Sequence, residues 1–182
     1  MVGTSGSLVM VEEATWLADI RALEGVKELS DPYWQHEDSI HGEDSMIAAL
    51  HAGAEPMLRG VHMFFENTTK KVHSAWVLGS NVCSHPGMGH GGILMTIMDE
   101  TMGTLWDRTL KSELGPGFTV NMQMDFRKPT IAGTTVYVLA ELEHVEGRKA
   151  KIKGRMMDRP GGTVLLEASA LFVVPKPAPT KH

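Results

Sequence analysis

The sequence predicts an α+β fold in which an antiparallel sheet of about six strands wraps around one long, buried helix. Strand-like runs with alternating apolar residues lie on both sides of one long stretch whose apolar residues recur at helical spacing. Two of these runs precede the helix and four follow it, and short turn-like segments connect the four. Because strands joined by short turns pair antiparallel, this order favours an antiparallel sheet packed on a helix.

The first sixty residues are predicted to form a helical extension, residues 1–60. In VEEATWLADIRALEGVKEL (11–29), apolar residues at helical spacing precede a glycine, which indicates a helix that stops at Gly25. A second short helix is predicted in SMIAALHAGAEPMLRG (45–60). It should end before Pro56, because proline has no N–H to donate.

The predicted domain follows at 61–174, and the Pro-rich residues 175–182 are expected to be a disordered tail. Alternation predicts that two sets of residues face opposite sides of one strand, namely Val136, Val138 and Ala140 on one side and Thr135, Tyr137 and Leu139 on the other. The six strand-like runs are GVHMFFEN (60–67), KKVHSAWVLGSNV (70–82), GFTVNMQMDFRKP (117–129), TTVYVLAELEHVEG (134–147), RKAKIKGRMMD (148–158) and GTVLLEASALFVVP (162–175).

Composition excludes several classes of protein. A formal net charge of -5 argues against a nucleic-acid partner. The one cysteine, Cys83, excludes an intramolecular disulfide and fits a reducing compartment. No stretch reaches the roughly 20 apolar residues that span a bilayer. The N-terminus has neither the basic region of a signal peptide nor the Arg-rich character of a presequence, so a cytoplasmic location is predicted.

The long apolar helix, PGMGHGGILMTIMDETMG (86–103), contains an unexpected aspartate. Gly92, Thr96, Asp99 and Gly103 fall on one helical stripe of small and polar residues, surrounded by Ile, Leu and Met. A buried carboxylate is costly unless it has a partner or a role, and small neighbours leave room for a ligand to approach it. The alternative is that Asp99 bonds locally or meets solvent at a subunit edge.

Glycine-rich residues at the start of this helix expose backbone amides. Around His90 and Gly91, unpaired N–H groups at a positive helix end can stabilise an oxyanion, although a plain glycine loop is the alternative. Gly91 and Asp99 are eight residues apart, which is about 12 Å along a helix. One reacting carbonyl cannot contact both, so a shared site requires two copies of the chain.

The order of elements, together with HGGILMTIMD, TVNMQMDFRKP, LEHVEGRKAKIKG and LLEASALFVV, resembles the hot-dog fold acyl-CoA thioesterases, in particular the phenylacetyl-CoA thioesterase branch. The resemblance covers about Val61 to Val174. It implies that Asp99 is the nucleophile or the general base and that the Gly91 N–H, beside His90, binds the thioester oxygen of a substrate held between subunits. Thr119 would position water or the carboxylate. The other residues expected to line the substrate site are Ser84, His85, Gly92, Gly103, Asn121, Arg127 and Lys128.

The resemblance departs from the family at one position. Many members carry an asparagine six residues before the histidine, where this chain has Ser84 followed by His85. Either Ser84 or His85 is expected to replace it, or else hydrolysis is weak. A zinc site at Cys83, His85 and His90 is disfavoured because the spacing matches no common arrangement, so no metal is predicted.

The predicted function is hydrolysis of an acyl-CoA or acyl-carrier-protein thioester. The thioester is the substrate and no cofactor is expected. Two alternatives stay open: a hot-dog hydratase, dehydratase or polyketide-processing enzyme, and a non-catalytic acyl-binding dimer. Self-association as a dimer or tetramer is expected, with an acyl carrier protein as a further partner. Basic residues near strand ends, including Arg127 and Lys128, are either solvated charges or contacts for the carrier's phosphates.

Overall fold

The computed structural model describes residues 14–29 and 46–176, and it confirms the predicted α+β architecture. Predictions for the remaining residues, including most of the tail at 175–182, lie outside this part of the chain. The helices within it are α1 (Leu17–Arg21), α2 (Met46–His51), α3 (Gly91–Thr109) and α4 (Lys111–Leu114). Its strands are β1 (Val26–Glu28), β2 (Leu58–Glu66), β3 (Lys71–Leu78), β4 (Cys83–His85), β5 (Met88–Gly89), β6 (Phe118–Phe126), β7 (Thr135–Glu146), β8 (Lys149–Met157) and β9 (Val164–Val173).

Seven of these strands form one antiparallel sheet in the order β1-β2-β3-β7-β8-β9-β6. The six predicted strands are all present. Strands β4 and β5 form a separate short ribbon, which leads into α3. The two hairpins predicted between β7 and β8 and between β8 and β9 are confirmed, with Gly147 and Gly161 at positive φ in their turns.

The seventh strand corrects the prediction for the N-terminal extension. Within the described residues, the helix predicted to stop at Gly25 is observed at Leu17–Arg21. Val26–Glu28, which fall in the predicted helical extension, form β1 along the edge of β2. Gly25 ends the helical region at a φ of 76°, as its position suggested. Beyond Gly25, ladder hydrogen bonds to β2 hold Val26–Glu28 in a strand, and local periodicity does not reveal such pairing between distant segments.

Helix α3 lies against one face of the sheet and forms the main core with it. Val136, Val138 and Ala140 of β7 are buried in this core, so the predicted alternation is confirmed. Gly154 of β8 lies where the helix approaches most closely. A Cβ atom there would be 2.5 Å from the Cε of Met98, so the absence of a side chain lets the helix methionines reach the strand. In the described residues no helix has both the length and the apolarity that a bilayer crossing needs.

Helix α1 covers part of the opposite face of the sheet, which we call the outer face. Leu17 and Ile20 are buried there against Phe64, Tyr137 and Met157 in a second, smaller core. Tyr137 alternates along β7 with Val136 and Val138, which lie in the main core. Both faces of β7 are therefore covered. The described residues 14–29 of the N-terminal extension are therefore part of the folded body, and burial of Leu17 and Ile20 stabilises the sheet.

We expect Leu17→Ala to lower the free energy of unfolding by about 2–4 kcal/mol, because Leu17 is 1% exposed and truncation leaves a cavity under α1. Leu23→Ala is the matched control. It makes the same change two residues past the helix at a side chain that is 46% exposed, and it should change stability by less than about 0.5 kcal/mol. Urea denaturation of the full chain measures both. Equal midpoints would show that α1 does not dock on the outer face.

Candidate active site

Asp99 lies on the half-buried side of α3, next to the edge strand β6 of the sheet. The residues of the small, polar stripe, Gly92, Thr96, Asp99 and Gly103, are half-buried or exposed, whereas Ile97, Met98, Met102 and Leu105 beside them are fully buried. The stripe predicted from spacing is thus the accessible side of the helix. A ligand that reaches this side meets the carboxylate of Asp99 among small side chains.

Thr119 of β6 holds the Asp99 carboxylate. Its hydroxyl donates a hydrogen bond of 2.8 Å to Asp99 Oδ1. Partial burial raises the pKa of Asp99 above its usual value, and the bond from Thr119 opposes that rise. A carboxylate whose pKa lies closer to neutrality is a stronger base once it is ionised, which is the property that a general base needs.

The start of α3 presents a backbone amide to solvent. The side chain of His90 caps the helix, because its Nδ1 accepts a 3.0 Å hydrogen bond from the Gly92 N–H. Within the part of the chain that the structure describes, the preceding N–H, that of Gly91, has no acceptor. A Cβ at Gly92 would lie 3.1 Å from the His90 ring, so a glycine there accommodates the cap. Gly91 therefore offers the free donor at the helix end.

Phe126, at the end of β6, is a site residue that the sequence analysis missed. A Cβ atom on Gly91 would lie 3.4 Å from the Phe126 ring, which is itself 55% exposed. An exposed aromatic ring beside a free amide makes an apolar wall next to a hydrogen-bond donor. The signal was available in the alternation of MQMDF, which puts Phe126 on the same side of the strand as Met122 and Met124.

Asp99 and Gly91 remain apart in a single chain. Both lie on one uninterrupted helix, so the eight residues between them correspond to about 12 Å. A single chain therefore does not bring the Asp99 carboxylate and the Gly91 amide together around one atom.

Ser84 and His85 lie on the ribbon that leads into α3. Both are exposed, and Ser84 Oγ lies 3.3 Å from His85 Nδ1. The ribbon is tied to the helix start by a bond of 2.7 Å from the His90 N–H to the carbonyl oxygen of Val82. The two side chains thus lie upstream of the Gly91 amide, and their role in holding water stays a prediction.

Asn121 lies away from Asp99, on the outer face of the sheet. It pairs with Leu171 and lines a groove of about 530 Å³ there. The cations of this groove form ion pairs within the chain, since Arg155 pairs with Glu141, and Lys151 and Lys153 share Glu143. The structure does not place Asn121 at the carboxylate, because the register shift between Thr119 and Asn121 puts these two residues on opposite faces of the sheet.

The two basic residues after β6 differ in their surroundings. Arg127 donates to Glu167 over 2.8 Å and also lies near Asp125, so its charge is largely offset. Lys128 is exposed. Both follow Phe126 and therefore lie near the Gly91 end of α3. Across residues 14–29 and 46–176, no group of three His, Cys, Asp or Glu side chains is arranged to hold a metal ion.

The sequence matches the thioesterase superfamily over residues 87–165. It is 32% identical over 111 residues to the mouse acyl-coenzyme A thioesterase THEM4, a match that covers 61% of this chain and 46% of that protein. It is also 28% identical over 171 residues to a mitochondrial protein of Candida albicans, covering 88% of this chain and 76% of the relative. The chain thus spans about half the length of the THEM4 relatives that it matches.

Solved structures show the same fold. A thioesterase superfamily protein matches with a TM-score of 0.54 at 22% identity, covering 63% of this chain and 53% of that one. A Bacillus halodurans protein crystallised with CoA matches with a TM-score of 0.53 at 22% identity, covering 59% of this chain and 70% of that one.

The prediction of a cytoplasmic location is wrong. The Candida albicans relative and a second relative in Saccharomyces cerevisiae, 26% identical over 114 residues and covering 60% of this chain and 45% of that protein, are both named as mitochondrial proteins. The prediction depended on a single cysteine and on the composition of the first residues. Neither property distinguishes the cytoplasm from another compartment in which thiols stay reduced.

The match at residues 87–165 includes the helix that carries Gly91 and Asp99 and the strand that carries Thr119. The antiparallel sheet, its single long helix and the matched structures agree on the fold. Residues 87–165 are therefore similar to the thioesterase superfamily, and the chain has the α+β fold of the matched thioesterase structures.

Proposed function

We propose that the protein hydrolyses acyl-CoA thioesters at sites shared between two subunits. The observation that carries this proposal is the hydrogen-bonded pair of Asp99 and Thr119 on the half-buried side of α3, combined with the free Gly91 N–H at its start. A carboxylate base and an oxyanion donor are the two groups that thioester hydrolysis requires.

The reaction follows from these groups. The ionised carboxylate of Asp99 accepts a proton from water, and the resulting hydroxide attacks the thioester carbonyl carbon. The Gly91 N–H of the second subunit stabilises the oxyanion of the tetrahedral intermediate. The carbon–sulfur bond then breaks, and the thiolate takes the proton from Asp99, giving a carboxylic acid and free CoA. Direct attack by the Asp99 carboxylate is the variant route and needs the same two subunits.

The two edges of the sheet support self-association through β6. One edge is the three-residue strand β1, whose Glu28 is paired with Arg21 and His62. The other edge is β6, which is nine residues long and carries the exposed apolar residues Phe118, Val120 and Phe126. A long edge strand with apolar side chains favours pairing with a second chain, whereas a short charged edge opposes it.

Phe118→Arg should weaken the assembly, because it puts a charge on the β6 edge. We expect wild type to sediment as a dimer or larger assembly at micromolar concentration, and the variant to dissociate at least about tenfold more readily. Val145→Arg is the control, since Val145 is also an exposed apolar residue but lies at the far end of β7. A monomeric wild type, or equal dissociation of both variants, would contradict an assembly through β6.

The substrate class and location come from the relatives. A protein named acyl-coenzyme A thioesterase shares 32% identity with this chain, and a protein of the same fold was crystallised with CoA. We therefore propose CoA as the carrier, with the exposed Lys128 near the Gly91 end of the helix as a contact for its phosphates. Two fungal relatives support a mitochondrial location.

Thiol release from short, aromatic and long acyl-CoAs tests the function. Release that depends on Asp99 supports hydrolysis. Water addition to an enoyl-CoA without thiol release would instead support a hydratase, and tight binding without turnover would support an acyl-binding dimer. The same assay with acyl-carrier-protein thioesters compares the two carriers. Organelle fractionation of the native host tests the mitochondrial location.

A further inference from the structure

The residues of β6 that face α3 are not the same alternating set along the whole strand. The set changes from odd-numbered to even-numbered residues partway along. In the second half of β6, Met122, Met124 and Phe126 pair with Ala170, Ala168 and Leu166 of β9. Those three β9 residues belong to the core that packs on α3. Because directly opposed residues of antiparallel strands share a face, the even-numbered residues of β6 point toward α3 there.

In the first half of β6, an odd-numbered residue faces α3 instead. Thr119 pairs with Phe172, a core residue whose ring stacks on Trp106 of α3. The register shifts between Thr119 and Asn121, so Val120 has no partner on β9. This is a β-bulge, in which one strand carries an extra residue.

We propose that the Val120 bulge is a positioning device that selects which side chain reaches Asp99. If pairing continued regularly from Asn121, Val120 would lie opposite Phe172 and Thr119 would turn to the outer face. Asp99 would then meet an isopropyl group in place of the hydroxyl that now donates to it over 2.8 Å. The extra residue therefore turns Thr119 inward.

The surroundings of Val120 support a positioning role over a packing role. Its side chain is 57% exposed, so it contributes little to the core of the chain. As the extra residue in the strand, Val120 nevertheless decides which face of the sheet the Thr119 side chain points to. A role of the bulge in catalysis rests on the proposed function. Its role in directing the Thr119 hydroxyl to Asp99 does not.

Exchanging the two residues tests this proposal. In Thr119→Val, Asp99 loses its hydroxyl partner, and the pKa of its carboxyl should rise because the bond from Thr119 lowers it. In the double variant Thr119→Val/Val120→Thr, the bulge stays in place and keeps the new hydroxyl at position 120 away from Asp99. The pKa of the Asp99 carboxyl should therefore rise by the same amount as in Thr119→Val. Carbon-13 NMR titration of the Asp99 carboxyl in the full chain measures this. A double variant that titrates like wild type would overturn the proposal.

Deletion of Val120 is a second, independent test of the proposal. The strand then becomes regular with Thr119 still opposite Phe172, so the Asp99 carboxyl should titrate as in wild type. If the deletion raises the pKa as Thr119→Val does, the proposal is wrong. Thr119→Ser, which keeps the hydroxyl, should also titrate like wild type. Far-UV circular dichroism and thermal midpoints establish that each variant is folded.

Kinetics separate this proposal from the proposed function. If the protein hydrolyses acyl-CoA, Thr119→Val and the double variant should lose equal factors of about tenfold or more in kcat/KM, and the acid limb of both pH profiles should move to higher pH. The deletion variant should retain the wild-type acid limb where sedimentation shows that it still assembles, because Val120 also lies on the proposed association edge. If wild type hydrolyses no thioester, the proposed function fails, and the NMR titrations still decide whether the bulge positions Thr119.

Discussion

Replacing Asp99 with asparagine is expected to lower kcat/KM for acyl-CoA hydrolysis by about 10²–10⁴-fold. The amide keeps the volume of the carboxylate and can still accept the hydrogen bond from Thr119, but it cannot accept a proton from water or attack a carbonyl. Thiol release under saturating and limiting substrate measures both kinetic parameters. Full activity in this variant would eliminate Asp99 as base and as nucleophile.

Asp107→Asn is the matched control, because it makes the same chemical change on the same helix. Asp107 pairs with Lys111 near the end of α3, two turns beyond Asp99, and takes no part in the proposed site. Its replacement should leave kcat/KM within about twofold of wild type, since an ion pair between residues four apart contributes only about 0.3–0.5 kcal/mol. Equal losses in both variants would indicate damage to the helix rather than to the reaction.

The Asp99→Asn variant should also be more stable than wild type at neutral pH. Burial raises the folded-state pKa of Asp99, so the folded chain binds this proton more tightly than the unfolded chain does. Asp99 therefore costs no stability at low pH and destabilises the fold as pH rises through its folded-state pKa. Thermal melts between about pH 4 and pH 8 should show a Tm difference in favour of the variant that grows with pH. A less stable variant at pH 8 would contradict this sign.

Gly91→Pro is expected to lower kcat by about 10²–10³-fold, because it removes the proposed oxyanion donor. Gly91 is the first residue of α3, a position where proline is tolerated because that N–H is not used by the helix. His90 before it has extended backbone angles, which a residue preceding proline also favours. The substitution therefore removes one hydrogen-bond donor and leaves the helix intact.

Gly91→Ala separates the loss of the donor from the addition of bulk. Alanine keeps the N–H but adds a Cβ atom 3.4 Å from the Phe126 ring, as proline also does. The alanine variant should retain most of the kcat of wild type. If alanine and proline were equally damaging, crowding against Phe126 would explain the loss and the Gly91 amide would have no special role.

Mixing the two inactive variants tests whether the sites are shared. In a heterodimer of Asp99→Asn with Gly91→Pro, one of the two sites combines an intact Asp99 with an intact Gly91. Random reassembly of equal amounts should restore about one quarter of wild-type activity. If each site were built within one chain, every subunit would remain defective, and no activity would return.

The sequence by itself determined the six main strands of the domain, its long helix and the stripe on that helix. Alternation identified the strands because each strand has one face in a core, as Val136, Val138 and Ala140 show. Helical spacing put Asp99 among small residues, and the distance along a straight helix separated it from Gly91. These properties depend only on residues that are close in the sequence, so the spacing of residue types is enough to predict them.

The remaining features depend on contacts between distant segments. Val26–Glu28 became a strand because β2 offers an edge, and Asn121 turned away from Asp99 because of its pairing with Leu171. Phe126 reaches Gly91 only when β6 lies beside the start of α3. The direction of Thr119 depends on the single register shift at Val120. Pairing register is set by the packing of whole strands against the core, so only the tertiary structure decided which side chain meets the carboxylate.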